Sequence, residues 1–137
     1  MEAMTHVKQD KTGEPAVARL LRPAPLLRTE GIALLALSVL LYWMNGGSWL
    51  VFGVLLLAPD LSMLGYLAGP KVGAAIYNAF HTYAMPAVVG ALGIIFASPF
   101  ALAVALIWFA HIGMDRTVGY GLKYPSSFKD THLPRLR

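Results

Sequence analysis

The stretch His111-Ile-Gly-Met-Asp115-Arg116-Thr-Val-Gly119-Tyr120-Gly121-Leu-Lys123-Tyr124-Pro125 begins inside an apolar segment and ends in a basic tail. His111 and Asp115 are four residues apart, so on a helix they share one face. There an imidazole and a carboxylate can grip one ion, or each other. Gly119, Gly121 and Pro125 are poor helix residues, so the helix must stop soon after Asp115. An ionisable pair thus sits where a hydrophobic helix leaves its apolar surroundings.

Outward from this stretch the chain is poor in charge. Of its 137 residues 57% are hydrophobic and only 13% charged. Between Asp60 and Asp115 the sole formal charge is Lys71, and residues 31–59 carry none. Uncharged runs of this length exceed what a soluble core helix needs, and they point to membrane-spanning helices. The absence of cysteine excludes disulfide and thiolate chemistry. The net charge of +4 comes from the ends and one loop, so it is no nucleic-acid footprint. The first 30 residues are polar, basic and proline-broken, unlike a secretory leader.

The pattern predicts an all-α fold, a bundle of four transmembrane helices over 26–45, 49–67, 71–97 and 100–116. Asn45-Gly46-Gly47-Ser48, Gly69-Pro70 and Ser98-Pro99 form the turns, with serine caps and prolines at helix starts. Residues 1–25 read as a basic tail, disordered over 1–15, with a short surface turn over 16–22. Residues 26–116 are the bundle and 117–137 a second basic tail. With four crossings all eleven Lys and Arg fall on one side, which the positive-inside rule makes cytoplasmic, as are both termini. Tyr42, Trp43 and Trp49 flank the opposite turn as an interfacial belt.

Residues equidistant from a hairpin turn lie at one depth. His81 and Asp115 are each seventeen residues from Ser98, so they are level, and His111 lies a turn deeper. Asp60 and Asn78 pair across the Gly69 turn. By that count Asp60 lies nearer the charged side than His81. Ionisable groups in spanning helices are costly and face the bundle interior. Pro59 and Pro86 each remove a helix hydrogen bond nearby. Two Asp and two His form a mixed oxygen and nitrogen donor set suited to a divalent transition metal such as zinc. Asp60, His81, His111 and Asp115 are therefore candidate metal ligands or catalytic groups. Tyr77 is a candidate outer partner of His81. The competing reading has the same groups satisfying one another as a structural network.

Leu57-Ala-Pro-Asp-Leu-Ser-Met-Leu-Gly-Tyr66, Tyr77-Asn-Ala-Phe-His-Thr-Tyr83, Ala110-His-Ile-Gly-Met-Asp-Arg116, Gly119-Tyr-Gly-Leu-Lys-Tyr-Pro125 and Phe128-Lys-Asp-Thr-His-Leu133 resemble a family of small bacterial integral membrane proteins, Domain of Unknown Function family 4260. The resemblance covers about residues 26–134. It implies a multi-pass protein of the bacterial inner membrane and no established activity. A weaker resemblance is to membrane-bound metal-dependent hydrolases, which carry Pro-Asp, His-x-x-x-His and His-x-x-x-Asp on successive helices. Pro59-Asp60 and His111…Asp115 match. The middle motif departs, since His81 has Tyr77 and Met85 at its four-residue neighbours, so Asn78 or His132 would have to replace a ligand.

Three functions follow. The first is metal-dependent hydrolysis of a membrane-associated substrate, with Arg116 and Lys123 holding an anionic lipid headgroup. The second is a non-enzymatic membrane scaffold. The third is haem binding by His81 and His111. The tail over 128–133 is expected to fold back under the bundle, Gly119 and Gly121 making the turn and His132 or Asp130 closing the pocket. Its alternative is a tail held at anionic lipid by its basic residues.

Overall fold

A computed structural model describes residues 15–136. The tail read over residues 1–14 lies outside the described residues. A short helix α1 (Ala16–Leu20) leads into α2 (Pro23–Met44), then α3 (Trp49–Leu56), a 3₁₀ helix (Ala58–Ala68), α4 (Pro70–Phe80), α5 (Ala84–Ile95), α6 (Pro99–Val118) and α7 (His132–Arg135). They compose four apolar spans, Pro23–Met44, Trp49–Ala68, Pro70–Ile95 and Pro99–Val118, each long enough to cross a bilayer. The turn chemistry matches its expected places. Ser48 and Ser98 each accept the backbone N–H three residues on, at 3.5 and 3.3 Å. Pro70 and Pro99 open their helices, and Gly119, in the left-handed region, closes α6.

Helix α6 is the axis. Half of its apolar window is buried, against 6% for the second span. It packs on α2, α5 and α3, while α4 packs on the 3₁₀ helix. The closest approach is between α2 and α6. A Cβ on Gly113 would lie 2.8 Å from both the Gly31 carbonyl oxygen and the Leu35 nitrogen. Small residues let two spanning helices touch backbone to backbone, which is how such helices gain packing energy where lipid is already apolar. The outward faces are apolar, with Leu50, Val54, Leu57, Ile94 and Ile95 all exposed. Trp43 and Trp49 are exposed beside the far turn, whereas Tyr42 is buried and donates to the Ser48 carbonyl.

Two of the spans are not continuous α-helices. The second changes to 3₁₀ geometry at Ala58, with Pro59 in its first turn. Eleven residues is long for a 3₁₀ run, since most last three or four. The third span breaks over residues 81–83, and Pro86 then sits in the first turn of α5, where its missing N–H costs nothing. Side chains of α6 take carbonyls at this break: Trp108 Nε1 donates to Phe80 at 2.7 Å and Arg116 Nη2 to His81 at 3.0 Å. The buried backbone acceptors are thereby satisfied.

Beyond Gly119 the chain turns back. The Asn78 amide pairs with Lys123 in both directions, Nδ2 donating to its carbonyl at 2.8 Å and Oδ1 accepting its N–H at 2.7 Å. Lys123 bridges Thr131 in antiparallel fashion, and His132 N–H reaches the Leu122 carbonyl. Gly121, Lys123, Thr131 and Leu133 are buried in this segment.

Candidate functional site

Each break delivers one ionisable side chain. Asp60 lies in the first turn of the 3₁₀ helix, and His81 caps α4. His111 and Asp115 descend one face of α6, as their spacing requires. The structure brings all four together, and one donor atom from each lies within 4.8 Å of every other. Nε2 of His81 is 3.1 Å from Nε2 of His111, 3.5 Å from Asp60 Oδ1 and 3.6 Å from Asp115 Oδ2. Nε2 of His111 is 3.4 Å from Asp60 Oδ1 and 3.6 Å from Asp115 Oδ2.

Asp60 is level with His81, not displaced toward the charged end as a continuous helix would have it. The 3₁₀ rise of about 2.0 Å per residue, against 1.5 Å, carries it roughly 4.5 Å deeper over the nine residues before Gly69. Helical breakage is thus what completes the cluster.

The protonation pattern follows from the partners. His81 Nδ1 lies 2.8 Å from the Tyr77 carbonyl, which can only accept, so Nδ1 carries the proton and Nε2 presents a lone pair. That is the arrangement of metal-bound imidazoles, which give their other N–H to a carbonyl or carboxylate. Tyr77 also stacks on the His81 ring, centroids 3.7 Å apart, and donates its hydroxyl to Asp115 Oδ2 at 3.3 Å. His111 can place a proton on only one ring nitrogen while neutral. Its Nδ1 is buried with no hydrogen-bond partner among the described residues. A single proton on His111 Nε2 cannot satisfy a bare imidazole nitrogen and two carboxylate oxygens together. A cation at this point could meet all four donors at once. A tetrahedral ion with bonds of about 2.0–2.1 Å holds its donors roughly 3.3 Å apart. The five separations above fall around that value, so the residues fit a zinc-like ion.

His81 and His111 are fully buried and Asp115 nearly so, whereas the Asp60 side chain keeps 32% exposure. Asp60 and Asp115 open on a cavity of about 210 Å³, lined also by Met63, Tyr77, Tyr120, Lys123 and Phe128. Lys123 Nζ stands 3.9 Å from the Phe128 ring centroid and 4.8 Å from that of Tyr77, and donates to the Phe128 carbonyl at 2.7 Å. Burial lowers its pKa, with the Asp115 charge pulling the other way.

Other expected site residues are placed differently. Arg116 is buried and gives its two terminal nitrogens to the carbonyls of Tyr120 and His81, so it braces the backbone and does not line the cavity. Asn78 is occupied by Lys123 and supplies no ligand. His132 holds the Leu122 N–H at 2.8 Å and packs on Gly121, away from the cluster. Asp130 pairs with Arg135 and Ser126. In their place Tyr120 and Phe128, not foreseen from the sequence, wall the cavity. Aromatic residues flanking Lys123 in the tail were the available signal. The 3.1 Å approach of the two imidazoles leaves no room for a porphyrin iron between them.

No curated protein and no solved structure matches the chain, so the likeness to metal-dependent hydrolases rests on its two short motifs alone. Residues 24–136, nearly all of the four spans and the returning tail, match the model of a domain of unknown function, DUF4260, and the chain belongs to that family.

Proposed function

We propose that this protein is a metal-dependent hydrolase of the bacterial inner membrane, acting on a membrane-associated substrate at the cytoplasmic end of its bundle. The observation that carries this reading is the cluster: two imidazoles and two carboxylates from three spans, one donor atom of each within 4.8 Å of every other. Such groups are costly in a spanning helix, and function is the default reason for them. A divalent ion bound there would supply a Lewis acid and an activated water at neutral pH. His81, His111 and Asp115 are the fixed donors, held by burial and by Tyr77. Asp60, the most exposed and facing the cavity, can exchange between ligand and base and accept the proton of the attacking water. Lys123 attracts and orients an anionic group.

A second reading has one favourable observation. Four protein donors fill a tetrahedron, as in structural zinc sites. The ion would then pin the broken helices of a membrane scaffold.

Metal analysis of protein purified without chelators tests the site, with about one equivalent of a transition metal expected per chain. His111→Ala should lose it, and Asp115→Asn should weaken binding with the fold retained. Chelator-sensitive, metal-restored hydrolysis of lipid esters or phosphoesters separates enzyme from scaffold. A metal-free wild-type protein destabilised by both substitutions would overturn the metal site. It would leave a polar network in which breaking a buried pair costs roughly 3–5 kcal/mol.

A further inference from the structure

Two cavities are lined by residues of the cluster or by their immediate chain neighbours. The polar one carries Lys123, whose ammonium makes one hydrogen bond and no ion pair among the described residues. Its other N–H donors have only the Phe128 and Tyr77 rings beside them. The second cavity, about 220 Å³, is lined by Leu55, Ala58, Pro59 and Phe80 and, on α6, by Phe100, Val104, Ile107 and Trp108. Two of its lining residues, Pro59 and Phe80, are peptide-bonded to Asp60 and His81, two of the four candidate ligands. Its wall on α6 runs Phe100, Val104, Ile107 and Trp108, one helical face. His111 and Asp115 continue that face. The apolar part spans about 12 Å at 1.5 Å per residue. The Trp108 indole N–H is already committed to the Phe80 carbonyl. The groove therefore presents hydrocarbon and aromatic surface, inside segments apolar enough to lie in a bilayer.

We infer that this groove holds an acyl chain of a membrane lipid whose anionic headgroup occupies the polar cavity beside Asp60, Asp115 and Lys123. The inference rests on reading the cluster as a reactive site and names its substrate class. Only an amphiphile matches both cavities at once. Moving an acyl chain from bilayer to groove exchanges one apolar setting for another, so the groove adds little affinity. Its role is to set the position of the head-to-chain linkage against the cluster, and such positioning is a large part of catalysis. Selection of the ligand then falls to the polar cavity, where Lys123 offers a cationic contact.

Photoactivatable phosphatidic acid, with a diazirine on its acyl chain, tests this in nanodiscs holding the full-length protein. A diacylglycerol carrying the same diazirine is the control. Mass spectrometry should place the phosphatidic acid label within residues 55–59 and 100–108. Val104→Trp and Ala58→Trp, made separately so that one misfolded variant does not decide the matter, should each lose that label while keeping melting temperature and metal content. Lys123→Gln should lower labelling by phosphatidic acid only. Equal labelling by diacylglycerol, or labelling that survives both tryptophans, would overturn the lipid site. Metal content on the same samples separates the two readings. Metal-free protein still labelled in the groove retains the lipid site and loses the hydrolase. Metal-loaded protein without the label loses the lipid site alone.

Discussion

Tyr77 holds His81 by two separate means: its ring lies flat on the imidazole at 3.7 Å, and its carbonyl takes the Nδ1 proton at 2.8 Å. Its hydroxyl simultaneously reaches Asp115. One residue thus orients a donor from α4 and a donor from α6. Tyr77→Phe keeps the stack and the carbonyl and removes only the hydroxyl. It should weaken metal affinity by about tenfold, the lower end for loss of an outer partner, with little change in melting temperature. Competition titration with a fluorescent chelator reads this directly. Unchanged affinity would mean that the hydroxyl does not position Asp115.

Gly113 permits the α2–α6 crossing. Gly113→Ala places a methyl carbon 2.8 Å from the Gly31 carbonyl oxygen, so the helices must separate. Overpacking of this kind costs about 1–3 kcal/mol. A lowered melting temperature in detergent is expected, with Gly53→Ala, where added carbon meets nothing within 4 Å, as the neutral control.

Acid should release the tail. His132 Nδ1 accepts the Leu122 N–H, which requires the neutral ring, and burial pushes its pKa below the ordinary 6.5. The folded form therefore binds a proton less readily than the unfolded chain. Its contribution to docking is complete above about pH 6.5 and falls away as pH drops through the lowered value. Asp130 does not interfere there, because the Ser126 hydroxyl and Arg135 hold its carboxyl below the usual carboxylate range. Trypsin cleavage after Lys123 and Lys129 should quicken between pH 7 and pH 5. His132→Gln should flatten the response. A rate that does not depend on pH would show that His132 is not the latch.

Topology is checked by cysteine labelling. Single cysteines at Gly47 and Ser98 should react with impermeant reagent on the periplasmic face, and one at Asp130 only after permeabilisation. Among the described residues, Lys and Arg lie at the opposite ends of the spans or in the segments beyond them, which supports this orientation. A cytoplasmic Ser98 would remove the assignment of the cluster to the cytoplasmic end.

The spans were legible because charge is sparse in them and because Ser48, Pro70, Ser98 and Pro99 mark their starts by local chemistry. His111 with Asp115 was legible because a four-residue interval on α6 needs no tertiary knowledge. His81 met Asp115 because equal distance from one turn fixes equal depth. Asp60 was misplaced in depth since rise per residue is not written in composition, and the switch to 3₁₀ at Ala58 changes it. Arg116 was read as a contact for an anionic headgroup, when the break at His81 creates a buried carbonyl that needs a donor. That demand arises only after folding. Pro86 hinted at the break, but a kinked and a restarted helix share the same residue.

The order of synthesis gives the broken spans a further consequence. Asp60 and His81 leave the ribosome before α6, and so do the carbonyls of Phe80 and His81. Until α6 follows them, the first three spans hold two backbone acceptors without their Trp108 and Arg116 donors, and an Asp60–His81 pair without His111 and Asp115. Nascent chains truncated before Pro99 should therefore be held by the insertion machinery or degraded, and α6 is the span whose arrival releases a finished protein into the bilayer.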